Sequence, residues 1–124
     1  MLKENIVKEK SYDFSLRIIK LYRYLIDKEK EFVLSKQILK CGTSIGANIE
    51  EAIGGQSKKD FISKICIAYK EARECHYWIR LLRDSSFIDN TSATSLLNDC
   101  DELVKLTGKI ISSSKKTQDV IASN

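Results

Sequence analysis

Lys58-Lys59-Asp60-Phe61-Ile62-Ser63-Lys64-Ile65-Cys66-Ile67-Ala68-Tyr69-Lys70-Glu71-Ala72-Arg73-Glu74-Cys75-His76-Tyr77-Trp78-Ile79-Arg80-Leu81-Leu82-Arg83-Asp84 is the stretch that decides the fold. Phe61, Ile65, Ala68, Ala72, Cys75, Ile79 and Leu82 recur in it at alternating spacings of four and three. That period puts them on one face of a helix, and its persistence over so many turns predicts a helix over 58–84. Ser57 just before it, with Asp60 three residues on, forms a capping-box-like start.

The same period extends in both directions. The first helix is expected over roughly 3–28, with Phe14, Ile18, Leu21 and Leu25 as its stripe and Tyr22 beside it. The second, about 35–53, carries Leu34, Ile38, Cys41, Ile45, Ile49 and Ala52, with Ser35 as its expected cap. Gly54-Gly55 offers it a left-handed ending. The fourth, about 91–113, carries Leu96, Cys100, Leu103, Thr107 and Ile110, widened by Leu97, Val104 and Ile111, behind Asp89 or Asn90 as a cap. Short links make consecutive helices antiparallel neighbours. The expectation is an all-α, up-down-up-down four-helix bundle over 1–113, followed by a frayed tail over 114–124.

Composition agrees. The 124 residues suffice for one domain, and they include no proline and only five glycines, too few of either for the many tight turns of a small β fold. No stretch approaches the roughly 18 apolar residues of a membrane span, and no basic start leads into an apolar run. A cytoplasmic protein is expected. Cys41, Cys66, Cys75 and Cys100 form no CxxC pair and read as small core residues, and His76 is the single histidine. The formal charge is +4, and the surplus lies mainly in residues 1–30, with eight Lys/Arg against five Asp/Glu.

Two helices carry more apolar surface than a monomeric bundle needs. Tyr12, Leu16, Ile19 and Ile26 lie roughly opposite the first helix's core stripe, with Arg23 among them. On the third helix Ile62, Cys66, Tyr69, Arg73, His76, Tyr77 and Arg80 follow one flank, while Ile67 and Trp78 occupy the remaining side. Apolar surface of this extent marks interaction, and self-association through Tyr12, Leu16, Ile19, Ile62, Tyr69 and Tyr77 is the first expectation. The second is a nucleic-acid surface in which Arg17, Lys20, Arg23, Arg73 and Arg80 meet phosphates and tyrosines offer stacking faces.

Gly42 and Gly46 lie one turn apart within the second helix, where each glycine costs about 1 kcal/mol relative to alanine. Close approach of a neighbouring helix would account for both. Asn48, at the edge of that stripe, reads as a structural amide that could set helix register. No catalytic constellation is present. Glu71-x-x-Glu74 lacks the histidine of a di-iron bundle, and Glu50, Glu51, Glu71 and Glu74 read as solvated carboxylates paired with Lys or Arg. Gly54-Gly55-Gln56-Ser57-Lys58 lacks the spacing of a phosphate loop. A non-enzyme without cofactor or metal is expected.

The blocks Cys41-Gly42-Thr43-Ser44-Ile45-Gly46-Ala47-Asn48-Ile49-Glu50-Glu51-Ala52, Ser57-Lys58-Lys59-Asp60-Phe61-Ile62, Ala68-Tyr69-Lys70-Glu71-Ala72-Arg73-Glu74 and Tyr77-Trp78-Ile79-Arg80-Leu81-Leu82, in that order, resemble the bacterial four-helix-bundle family also called the 23S rRNA intervening-sequence proteins. The resemblance covers nearly the whole chain. It implies an antiparallel bundle assembled into a ring-like homopentamer, with no established catalytic residues. Some members of that family are encoded within insertions in large-subunit rRNA genes. A related branch, the accessory variability determinant of diversity-generating retroelements, partners a reverse transcriptase and binds nucleic acid through basic surfaces. Self-association, RNA or DNA, and a nucleic-acid enzyme such as a reverse transcriptase are therefore the expected partners, and a protein-interaction scaffold without nucleic-acid binding is the alternative.

Overall fold

The computed structural model describes the backbone of residues 2–123 and the side chains of residues 4–117. Its elements are α1 (Leu2–Asp27), α2 (Leu34–Ile53), α3 (Lys58–Asp84) and α4 (Asn90–Ser123), with no strand among the described residues. α1 packs on α2, α2 on α3, α3 on α4, and α4 less closely back on α1, while the backbones of the diagonal pairs stay apart. The result is a four-helix bundle.

The stripes read from the sequence form its core. Phe14, Ile18 and Leu25 of α1 meet Ile38, Ile45 and Ile49 of α2, Ile65, Ile79 and Leu82 of α3, and Leu103 of α4 in one buried cluster. Val7, Ile88 and Ala93 extend it beyond those stripes. Cys41, Cys75 and Cys100 are buried free thiols within it. Hydrogen bonding with the adjacent Cys100 and Cys41 thiols, and then burial, push the Cys75 thiol well above its ordinary range, so it stays protonated and inert.

Helix ends follow the sequence in part. The Ser57 hydroxyl accepts from Asp60 N–H at 3.1 Å and starts α3. Asp89 starts α4 by accepting from Ser92 N–H at 2.7 Å, a bond that holds its carboxyl below the usual range. Ser35, expected as the α2 cap, instead lies inside the helix. The Glu31 carboxylate takes its place, accepting from Ser35 N–H at 2.7 Å and Val33 N–H at 3.2 Å. A longer acid reaching back from the link thus outcompetes the serine. Gly54 is not left-handed, with φ −83°, and α2 closes on Gly54 N–H to Glu50 C=O and Gly55 N–H to Ala52 C=O bonds. Positive φ falls instead at Lys30 and Ser86, in the first and third links. α4 continues beyond the expected bundle boundary at 113, through a buried Ser114, to Ser123. Residues 118–124 of the expected tail lie outside the described side chains.

Gly42 is the closest interhelical approach among the glycines. A Cβ there would stand 2.7 Å from both branches of the fully buried Ile18. At Gly46 a Cβ would meet Ser11 C=O and the Ser15 hydroxyl at 3.4 Å, an ordinary contact. Only the first glycine is sterically required. Asn48 is half-buried, and its amide donates to Ser44 C=O on its own helix at 2.8 Å, so it is satisfied without linking helices.

Two outcomes follow from this packing. Gly42→Ala should lower unfolding free energy by about 1–3 kcal/mol because Ile18 has nowhere to move. Gly46→Ala should leave it unchanged or raise it by up to about 1 kcal/mol through helix propensity. Equal losses in urea titrations of the two variants would contradict this geometry. The buried Ser35 hydroxyl has no hydrogen-bond partner. Ser35→Ala should therefore stabilise by about 1 kcal/mol, and a lower Tm would show that the hydroxyl is satisfied in solution.

Candidate nucleic-acid interface

The flank of α3 one residue beyond its core stripe carries Tyr69, Arg73, His76 and Arg80 at spacings of four, three and four. This flank faces α4. The Tyr69 ring lies over Gly108, where a Cβ would stand 3.5 Å from the ring edge. His76 Nε2 sits 3.0 Å from Asp101 Oδ1, and the Cys100 thiol donates to Ala72 C=O at 3.2 Å. Together Tyr69, Arg73, His76, Arg80, Asp101 and Val104 line a groove of about 270 Å³.

The two arginines of this groove lie against aromatic rings. The Arg73 guanidinium lies 5.9 Å from the Tyr69 ring centre and donates to its hydroxyl at 3.5 Å. The Arg80 guanidinium lies 5.8 Å from the ring centre of Tyr77. Such contacts contribute only about 0.5–1 kcal/mol at an exposed site. Among the described residues neither arginine forms a salt bridge. Both are exposed, so their donors are open to an incoming anion.

The basic residues of α1 do not converge in the same way. Arg17 reaches across to α4, donating to Asp99 Oδ2 at 2.7 Å, Ser95 Oγ at 3.0 Å and Ser95 C=O at 3.3 Å. Lys20 is exposed beside it, on a second depression of about 350 Å³ floored by Leu21, Ile88 and Leu96. Arg23 is exposed and lies away from that seam, one turn beyond Ile19 and two beyond Leu16. The five expected phosphate contacts are thus divided between two grooves on either side of α4 and the outer surface of α1.

The sequence reading missed the acids that decide this division. Asp99 and Asp101 flank the buried Cys100, so they emerge on opposite sides of the α4 core stripe. Asp99 meets Arg17 on the α1 side, and Asp101 meets His76 on the α3 side. Glu102 adds a 3.1 Å pair with Lys10. The signal was present in Asp99-Cys100-Asp101-Glu102, since one core residue between two acids sends a carboxylate to each neighbour.

Of the expected self-association residues, Tyr12 is 63% exposed, and Leu16 and Tyr77 are each 48% exposed. Ile19 and Tyr69 are half-buried. Ile62, only 9% exposed, is taken up by its own chain and is not free for a partner. Glu50 and Glu51 pair as expected, but with other helices: Lys8 at 3.8 Å and Lys64 at 3.4 Å. Glu71 and Glu74 form no such pair among the described residues. No group of three or more His, Cys, Asp and Glu among the described residues is placed to hold a metal ion, and no described helix is long and apolar enough to cross a membrane.

Residues 3–109 match the family described as 23S rRNA-intervening sequence protein. The chain belongs to that family. It is also similar to a crystal structure from Bacteroides thetaiotaomicron, described as a protein of unknown function from the S23 ribosomal protein family. The two are 51% identical, superpose with a TM-score of 0.87, and share 89% of this chain and 98% of that one. No curated protein matches the chain. Membership in the 23S rRNA-intervening sequence protein family thus accounts for the bundle and leaves the activity to be argued from the surface.

Proposed function

We propose that this family member is a non-enzymatic bundle that self-associates and binds RNA or DNA along the flank shared by α3 and α4. The observation that carries the reading is the pair of exposed arginines, Arg73 and Arg80, which lie 5.9 Å and 5.8 Å from tyrosine ring centres and form no salt bridge among the described residues. Guanidinium groups held on aromatic rings are pre-oriented for phosphate, and the rings offer stacking faces to unpaired bases. Arg17, satisfied by Asp99 and Ser95, contributes little to this surface.

In this reading the helices form an antiparallel, up-down-up-down arrangement, assembled as a ring-like homopentamer in the cytoplasm. The antiparallel order is supported by contacts whose numbering runs in opposite senses: Ile18 with Gly42, Ser11 with Gly46 and Lys8 with Glu50 between α1 and α2. Between α3 and α4, His76 meets Asp101 while Tyr69 meets Gly108. The pentamer is supported by the resemblance to the family and by the exposed Tyr12, Leu16 and Tyr77.

A gel-shift titration with structured RNA and with single-stranded DNA tests the binding. Complexes should form at about 50 mM salt and weaken steeply as salt rises. Replacing Arg73 and Arg80 together by glutamine should reduce affinity at least about ten-fold and flatten the log–log salt slope by about 2. Arg17→Gln should change affinity less than about two-fold, because its charge is already neutralised. Absence of any shift at low salt would overturn nucleic-acid binding and leave a protein-interaction scaffold as the function.

A further inference from the structure

His76 is the only histidine of the chain, and the fold sets it between the two arginines of the basic groove. It follows Arg73 by three residues and precedes Arg80 by four, so all three share one flank of α3. At 1.5 Å of rise per residue the arginines stand about 10 Å apart along the helix axis, with the imidazole between them. The His76 side chain is 27% exposed, so it is open to a ligand that lies across both arginines.

The groups around the imidazole decide what its protonation does. From its own helix, Arg73 and Arg80 face it one turn to either side, with the Tyr69 hydroxyl a further turn back. From α4, Asp101 stands against it with Oδ1 3.0 Å from Nε2, and exposed Lys105 lies one turn beyond Asp101. Val104 supplies the apolar wall. A carboxylate at Nε2 favours the tautomer with its proton on that nitrogen, so Nδ1 is the nitrogen that gains or loses one. In the neutral ring Nδ1 presents a lone pair, which repels an anion. In the imidazolium it presents an N–H, and the ring carries a charge. Histidine is the side chain that ordinarily changes charge between about pH 5 and pH 8, whereas carboxylates and guanidinium groups do not. Across that range the groove therefore gains one positive charge at its centre.

We propose that His76 is a third, proton-dependent phosphate contact of this groove: a nucleic-acid strand is held by Arg73 and Arg80 at high pH and by all three residues at low pH. The proposal rests on the nucleic-acid binding argued above and adds to it one residue and one form of regulation. Asp101 acts in two directions, since it stabilises the imidazolium and repels the strand. Linkage fixes the sign. A strand that prefers the protonated protein must raise the proton affinity of His76 by the same factor, so binding takes up protons and tightens as pH falls.

Calorimetric titration of the full chain with oligothymidine lacking a terminal phosphate tests this role, because neither its bases nor its phosphodiesters change charge in the range used. At low salt, affinity should rise at least about five-fold from about pH 8 to about pH 5.5. His76→Gln should flatten that rise with unchanged helicity by circular dichroism, and His76→Lys should bind tightly across the whole range. Asp101→Asn should tighten binding at high pH and move the rise to lower pH, because the imidazolium loses its partner. In the parent protein the nuclear magnetic resonance signals of the single imidazole should titrate at higher pH once the strand is bound. Absence of binding at every pH would overturn the function of the groove together with this role. Binding with a flat pH profile, a rise that persists in His76→Gln, or an imidazole titration that the strand leaves unmoved would overturn the role of His76 alone.

Discussion

Contact between Ile18 and the bare backbone at Gly42 sets the spacing on which the bundle depends. Ile18 is fully buried, and any Cβ at position 42 would overlap both of its branches. α1 and α2 can therefore pack with backbone against side chain, and the Ser15 hydroxyl comes to 3.5 Å from Gly42 C=O. With this pair fixed, α3 completes the core over Ile38, Ile45 and Ile49, and α4 closes it less tightly against α1. The helix-propensity cost of a mid-helix glycine is about 1 kcal/mol, smaller than the loss a misfitted core side chain typically brings.

The looser seam between α1 and α4 is where electrostatics takes over from packing. Arg17, Lys10 and His76 each meet a carboxylate between Asp99 and Glu102, linking α4 to both neighbours through partly exposed pairs. Exposed ion pairs contribute about 0–1 kcal/mol each, so their effect on stability is small. Their effect on the surface is larger. They engage Arg17 and Lys10 and leave Arg73, Arg80 and Lys20 among the cations still open to a ligand. A chain with a net charge of only +4 thereby keeps a local basic site, which total charge does not reveal.

Much of this was legible in the sequence because the core stripe is strictly periodic. All four helices and the start of α3 at Ser57 follow from spacing and one capping pair. The errors have local causes. Ser35 lost the cap to Glu31 because a carboxylate two or four residues back can reach the same N–H groups. Gly54 ends α2 without a left-handed turn, and Asn48 bonds within its own helix; residue type alone does not distinguish those outcomes. The site was less legible because it depends on pairs between helices. Arg17 and Arg73 look alike in sequence, yet one faces Asp99 and the other a tyrosine ring. Periodicity places a residue on a face, but the opposing helix decides whether its charge remains available.

α3 carries this point furthest, because its two flanks are chemically opposite. One holds Arg73 and Arg80 on tyrosines beside α4, and the other holds Glu71 and Glu74 beside Trp78. A solvated flank of a single bundle would place Lys or Arg among such glutamates to relieve their repulsion. Lys70, one turn before Glu74, and Lys40 of α2, which opposes the rise of the Glu71 carboxyl, supply that relief here. In the proposed homopentamer the basic groove recurs once in every copy. Each copy would then add one more two-arginine site to a common surface. Phosphate contacts too weak to hold a strand singly gain from such repetition, because after the first contact the others bind at high effective concentration. Assembly would thus turn a modest net charge into a usable surface.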